Sequence, residues 1–281
     1  MSLSIDFRTD LIIPPSVPVF DVVEPSWDAK SVADLADRLG LSAPAEDLGL
    51  WHVVRDDRAV LEIYQASSSF RFSLLRHDGE GRDGRGEGYP DAEQVAKEWM
   101  SPHWPEGGDP EILGVAEREL LIVERGQREP RRLVAATDVN IGFSTEGFAL
   151  LGPGAKAKVA VASDGSVVEA YCFWRNLAHN GEVRTRSQAE VFERFAASQM
   201  FADLSDGRAR AEVTTARFGY LSIPPTEVME ALVPVVELRG TISTEMIERF
   251  EFTRFVLAAE PQDRGRGRGK RVNDVPALVM A

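Results

Sequence analysis

The segment Leu150–Leu177 predicts two long strands joined by a tight turn, and it constrains the fold more than any other part of the chain. Over Lys156–Ala162, lysine and alanine alternate with valine, and β-branched and aromatic residues dominate Val167–Trp174, as pleated strands favour. Between them, Ser163–Ser166 supplies the Asp-Gly chemistry of a hairpin turn. The hairpin indicates an antiparallel sheet, but it names no reaction.

Three amphipathic helices are the second strong signal. The first covers Asp28–Leu41, with apolar residues at helical spacing and Gly40 as a stop. The second begins at the N-cap Asp91, and the third begins with a capping box from Ser187 to Glu190. Strands follow each helix, so we expect an α+β protein of tandem modules, each a helix on a curved antiparallel sheet.

Composition divides the 281 residues into five parts. A Gly, Asp and Arg-rich stretch predicts a linker between the first two modules, and a change of composition after Ala259 predicts a flexible tail. The predicted parts are an N-terminal module 1–76, a Gly-rich loop 77–88, a central module 89–181, a C-terminal module 182–260 and a tail 261–281.

Charge and cysteine content narrow the classes of function. The net charge of −13 would repel a phosphate backbone, so we expect no nucleic-acid partner for the folded part. The single Cys172 excludes an internal disulfide framework, and no Cys/His spacing indicates a metal site or a cofactor. We find no signal peptide and no membrane-length apolar run, which predicts a cytoplasmic protein without a membrane partner.

Two segments leave alternatives open. The mixed charges of Glu117–Arg132 favour a solvated hairpin. The apolar end Val275–Ala281 follows the basic run Arg264–Arg271, and it either frays or docks into a groove or onto a strand edge.

The hairpin Gly152–Leu177 and the later segment Val213–Gly240 resemble PepSY-like folds, including regulatory proteins of the YycH and YycI type. The shared pattern is a glycine-bounded strand, an Asp-Gly turn, a second strand, a helix, and then two further strands. The resemblance spans about residues 90–259. It implies a PepSY-like or cystatin-like scaffold with a binding or regulatory role, although the chain lacks the signal or anchor usual in that group.

Strand alternation predicts which side chains share a face. Along Val167–Arg175, one face has the core-like residues Val168, Ala170, Cys172 and Trp174. The other face mixes ring, phenol, carboxylate and guanidinium groups, as a ligand-facing sheet or a plain exposed sheet would. Its candidate ligand-binding residues are Glu169, Tyr171, Phe173 and Arg175.

Polar residues on other strands could complete a pocket with this face. They are Asp138, Asn140, Glu237 and Arg239, with surface ion pairs as the simpler interpretation.

Two classes of function remain open. The first is a regulatory protein that binds a small apolar molecule or a peptide. The second is a cofactor-independent cyclase or isomerase that folds an apolar substrate in a sheet-lined cavity. For the enzyme, the candidate hydrogen-bond donors are Tyr171, Arg175 and Tyr220, and the candidate bases are Glu169 and Asp138. A closed cavity beside these groups would favour the enzyme, whereas a filled core with a bare strand edge would favour the binder.

Overall fold

A computed structural model of the chain describes residues 4–75, 91–123, 129–198, 209–244 and 249–260. Strands make up 54% of the structure and helices 14%. The predicted α+β architecture of tandem helix-plus-sheet modules is therefore wrong, because one large mixed sheet dominates the molecule. The predicted loop 77–88 and tail 261–281 lie outside the described residues.

The described elements are three helices and fifteen strands. The helices are α1 (Ala29–Arg38), α2 (Ala92–Met100) and α3 (Gln188–Ala196). The strands are β1 (Ser4–Phe7), β2 (Ser16–Val23), β3 (Ala45–Asp47), β4 (Trp51–Arg55), β5 (Ala59–Tyr64), β6 (Ser69–Leu74), β7 (Asp109–Ile122), β8 (Arg131–Thr145), β9 (Phe148–Leu151), β10 (Lys156–Val161), β11 (Val167–Phe173), β12 (Asn176–Arg184), β13 (Arg210–Leu221), β14 (Val233–Ser243) and β15 (Phe250–Leu257).

The large sheet has thirteen strands and crosses the predicted module boundaries. Its main order is β15-β14-β13-β9-β8-β10-β11-β6-β5-β4-β3, with β1 paired to β13 and β7 paired to β8. β6 hydrogen-bonds to β11, and β9 runs parallel to β13. Alternation within a strand reveals its faces but not its neighbours, which is why the sequence did not predict these long-range pairings. β2 and β12 form a separate antiparallel pair.

The predicted hairpin is confirmed as β10 and β11. Their antiparallel register places Lys158 opposite Tyr171 and Ala160 opposite Glu169. In the turn, the Ser166 backbone N–H and hydroxyl both donate to Asp164 Oδ1, at 2.9 and 2.7 Å. Gly165 has a φ of 88°, a left-handed conformation that costs glycine little.

All three predicted helix starts are confirmed by their caps. The side chains of Asp28 and Asp91 accept hydrogen bonds from the first-turn amides of α1 and α2. Ser187 and Glu190 form the reciprocal capping box of α3. Each cap satisfies amides that have no partner within the helix, so these short local patterns are enough to set where the helices begin.

Alternation divides the sheet into two faces, which we call the inner face and the open face. Val139, Val159 and Ala170 lie on the inner face, in one core cluster with apolar residues of α1 and α2. Trp174 and Cys172 are 1% and 2% exposed in the same cluster, as the sequence predicted. A second core cluster packs α3 against β13, β14 and β15. Among the described residues, no helix combines the length and apolar character needed to cross a bilayer.

Candidate functional site

An ion-pair cluster lies on the open face where β7, β8, β10 and β11 run side by side. Asp138 and Glu169 both lie opposite the small residue Ala160, on either side of it. Arg118 reaches across from β7, with Nη2 at 2.7 Å from Asp138 Oδ1 and 2.9 Å from Glu169 Oε2. Lys158 Nζ lies 3.8 Å from both carboxylates. The long side chains of Arg118 and Lys158 therefore extend over the small residue Ala160, between the two carboxylates.

The cations around Glu169 keep this carboxylate charged. Burial opposes its ionisation, but the charges of Lys158, Arg118 and Arg71 outweigh that effect and lower the pKa of Glu169. Arg71 Nη2 lies 3.1 Å from Glu169 Oε1. A general base works best with a pKa near the working pH, so this environment makes Glu169 a stable anion rather than a proton acceptor.

Aromatic side chains continue the open face beside these charges. The rings of Tyr171 and Phe173 stack with centroids 4.5 Å apart, and Tyr64 meets Phe173 edge-on at 5.7 Å. Lys158 Nζ lies 5.7 Å from the Tyr171 ring centroid. Burial, and then the nearby carboxylates, raise the pKa of Tyr171, so its phenol stays protonated.

The structure brings five of the predicted site residues together on the open face. Their shared position follows from the register of β8, β10 and β11, in which Lys158 lies opposite both Asn140 and Tyr171. The five residues are Asp138, Asn140, Glu169, Tyr171 and Phe173.

Another predicted site residue, Arg175, is committed to structural hydrogen bonds. The buried Arg175 guanidinium donates to Ser222 Oγ and to the carbonyls of Ile223, Pro224 and Glu227, at 2.7–3.1 Å. Burial lowers the pKa of Arg175 to about 10, so it remains protonated at neutral pH. These bonds hold the loop between β13 and β14 against the end of β11.

Tyr220 is fully buried, and its hydroxyl donates to the Pro18 carbonyl at 2.6 Å. Its ring meets Phe20 and Phe148 edge-on.

The two remaining predicted site residues form an ion pair on β14, where Arg239 Nη2 is 2.9 Å from Glu237 Oε1. Four strands separate β14 from β11 in the sheet order. Tyr220, Glu237 and Arg239 therefore do not join the cluster around Glu169.

One feature of the structure that was not predicted from the sequence is an apolar strand edge. β7 is fourteen residues long, and among the described residues β8 is the strand that pairs with it. Six large apolar side chains on β7, or directly after it, are 38% to 74% exposed; they are Leu113, Val115, Leu120, Leu121, Ile122 and Val123. A long, exposed apolar edge invites pairing with another strand. The signal in the sequence was the apolar run Leu120–Val123, which breaks the polar alternation expected of a solvated hairpin.

A groove of about 630 Å³ lies between α2 and the first residues of β7. Its lining includes the apolar side chains of Trp104, Pro110, Ile112 and Ile141, together with polar residues of α2 such as Gln94, Lys97 and Glu98. A few polar groups around an apolar floor are typical of ligand sites. The candidate site therefore consists of α2, the groove, and the edge of β7 that has no partner strand among the described residues.

Acidic side chains flank this edge. β7 contains Asp109, Glu111, Glu117 and Glu119 but one cation, Arg118. Arg118 is held by the open-face cluster, and Glu119 lies 3.6 Å from Arg132 on β8. The residues of β7 itself therefore have a net charge of −3, while Arg131 and Arg132 of β8 lie opposite its apolar residues Ile122 and Leu121.

His103, in the short turn Ser101–His103 after α2, makes the stability of the region around the groove depend on pH. Its ring packs near Trp99 and Phe70, at 5.3 and 5.7 Å, and burial, assisted by Arg38, lowers the pKa of His103 to about 4. In the unfolded chain a histidine titrates near 6.5, so the unfolded state binds the proton first as the pH falls. The stability contributed by neutral His103 is present above about pH 6.5 and is lost toward pH 4.

Thermal unfolding should reveal this dependence. Between about pH 7 and about pH 4.5, we expect the midpoint of the wild type to fall by several degrees more than that of a His103→Phe variant. His179→Phe, at an exposed histidine, is the control and should follow the wild type. Parallel curves for wild type and His103→Phe would contradict the assignment.

Comparisons with known proteins leave the chain without an assigned family. No family model and no curated protein matches it. The solved structure of an uncharacterized protein from Eubacterium rectale ATCC 33656 is similar to this chain with a TM-score of 0.46 and 9% sequence identity. That alignment covers 87% of this chain and 82% of the other.

Within the described residues, no group of three or more His, Cys, Asp or Glu side chains could hold a metal ion.

Proposed function

We propose that this protein binds an extended peptide, which adds as a strand to the open edge of β7. The observation that carries the proposal is the row of exposed apolar side chains on a long edge strand beside a helix-walled groove. Edge strands bind peptides through main-chain hydrogen bonds, while pockets for alternate side chains provide specificity.

The charge of the edge favours a particular peptide chemistry. Apolar side chains on every second residue would contact the groove and the exposed residues of β7. Basic residues on either side would meet the acidic side chains of β7, within a chain of net charge −13. Complementary charge raises the rate of encounter and selects the register of the bound segment.

The register of β7 limits the length of the added strand. Bulges interrupt its pairing with β8 between Ile112 and Gly114 and between Arg118 and Glu119. The stretch Gly114–Arg118 is regular, and Glu119–Ile122 is a second regular stretch. Bulges twist an edge and discourage indiscriminate pairing, so a short segment fits this edge better than a long, flat strand.

The side chains proposed for catalysis give the cyclase or isomerase alternative less support. Tyr220 and Arg175 are committed to backbone and hydroxyl acceptors within the fold. The pKa of Glu169 is lowered rather than raised toward neutrality. The regulatory role and the cytoplasmic location expected from the sequence remain parts of the proposal.

A synthetic peptide tests strand addition directly. The probe is Lys-Lys-Thr-Val-Thr-Val-Thr-Val-Lys-Lys, and calorimetry should give a dissociation constant on the order of 10 µM. Methylating alternate backbone nitrogens of the probe should raise that constant about tenfold or more, because a methylated nitrogen donates no hydrogen bond. Equal binding of both peptides would exclude strand addition.

A matched pair of variants locates the binding surface. Leu121→Lys places a cation on the apolar edge, and we expect it to raise the dissociation constant about tenfold, since it removes apolar contact and repels the basic probe. Leu50→Lys is the control, because Leu50 is 59% exposed and Leu121 is 60% exposed. Leu50 lies before β4, at the opposite side of the sheet, so binding by that variant should equal that of the wild type. Equal losses in both variants would contradict the β7 site.

A further inference from the structure

We infer that the C-terminal segment 264–281 of this same chain occupies the β7 edge and competes there with external peptides. The inference rests on the proposed function, because it uses the same strand edge and the same groove.

The basic segment and β7 have complementary charges. The run Arg264–Arg271 contains five cations, and glycine alternates with arginine or lysine from Arg264 to Lys270. In an extended chain, residues two apart share a face, so four of these cations would point to one side. β7 contains four carboxylates, of which Glu117 and Glu119 already have partners within the fold and Asp109 and Glu111 lie at its start. The densest basic run of an acidic protein thus complements the acidic edge described above.

The apolar end of the segment matches the exposed apolar side chains of β7. The segment ends in Val275–Ala281, whose side chains are apolar throughout. Leu278, Val279 and Met280 would cover the exposed Leu120 and Leu121 of β7. Pro276 is compatible with an added outer strand, because alternate residues of such a strand direct their amides away from the sheet.

The connecting length permits this contact within one molecule. The described chain ends at Glu260, and residues 261–274, which include the basic run, could carry the apolar end Val275–Ala281 at most roughly 45–50 Å away from it when fully extended. A compact chain of this length has a radius of gyration of about 19 Å. The apolar end can therefore reach a large part of the surface of its own molecule, and the basic run would lie along the approach to the edge.

Occupancy of the edge by this segment would make peptide binding self-limiting. The apparent affinity for an external peptide falls in proportion to the fraction of molecules with a free edge. If about 90–99% of molecules have the segment bound, displacement of the segment tightens external binding about 10–100-fold. A partner that captures the basic segment would then open the edge.

The test uses the full chain with substitutions in the segment. In the variant Leu278→Asp with Val279→Asp, we expect the Lys-flanked valine and threonine probe to bind at least about tenfold more tightly than in the wild type. Hydrogen exchange of the β7 amides should be correspondingly faster in the variant without probe. Gln262→Asp adds an acidic residue outside the apolar part, and it should leave both measurements close to those of the wild type.

Each outcome separates this inference from the proposed function. If the probe binds wild type and variant equally, and β7 exchange is unchanged, the segment does not occupy the edge, although peptide binding stands. If the probe binds neither protein, both proposals fail. A concentration-dependent dimer that the two substitutions abolish would overturn the intramolecular form of the inference, because the segment would then bind a second copy.

Discussion

Replacing Arg175 with methionine is expected to lower the free energy of unfolding by about 3–5 kcal/mol. The buried guanidinium donates to three backbone carbonyls and to one hydroxyl in the loop between β13 and β14. Methionine fills similar volume but leaves those buried acceptors without donors. Urea unfolding followed by circular dichroism measures the change.

Arg55→Met is the matched control for this prediction, because Arg55 is exposed on β4. Substitutions at exposed positions usually change stability by less than about 0.5 kcal/mol. A similar small change in Arg175→Met would show that the loop is held by other contacts. It would also reopen Arg175 as a ligand-binding residue, as the sequence alone suggested.

The features predicted correctly from the sequence depend on residues close together in the chain. Ser187 and Glu190 set the start of α3 from three residues apart, and the Asp164 turn joins strands that are neighbours in sequence. Such local patterns leave the chain few alternatives. Alternation also predicted correctly that Cys172 and Trp174 would be buried, but the bulge between Ala160 and Val161 places Val167, rather than Val168, against the core.

The features that the sequence did not predict depend on distant partners. Arg71 and Glu169 meet across β6 and β11, although 98 residues separate them. Alternation placed Arg175 on the same face as Tyr171, but it could not show that the loop from Ser222 would surround the guanidinium. The sequence also predicted a strand from Ile112, without showing that its outer edge would remain open among the described residues.

Replacing Gly154 with alanine should cost about 2–3 kcal/mol of stability. A Cβ at this position would lie 1.8 Å from the Ile223 carbonyl oxygen and 2.6 Å from Arg175 Nη1. The Gly154 amide also donates to the Ser222 carbonyl at 3.0 Å, so the backbone cannot withdraw without losing that bond. The same urea experiment measures the cost, and Gly114→Ala is the control because its Cβ would meet nothing within 4 Å.

A double-mutant cycle would join the two predictions. Gly154→Ala displaces the loop that Arg175 holds, so the combined variant should lose about 0.5–3 kcal/mol less than the sum of the single losses. Coupling of that size would show that Gly154 and Arg175 stabilise one junction, where the β10–β11 hairpin meets the β13–β14 loop. Full additivity would mean that the two residues act on separate parts of the fold, and it would refute this account of the junction.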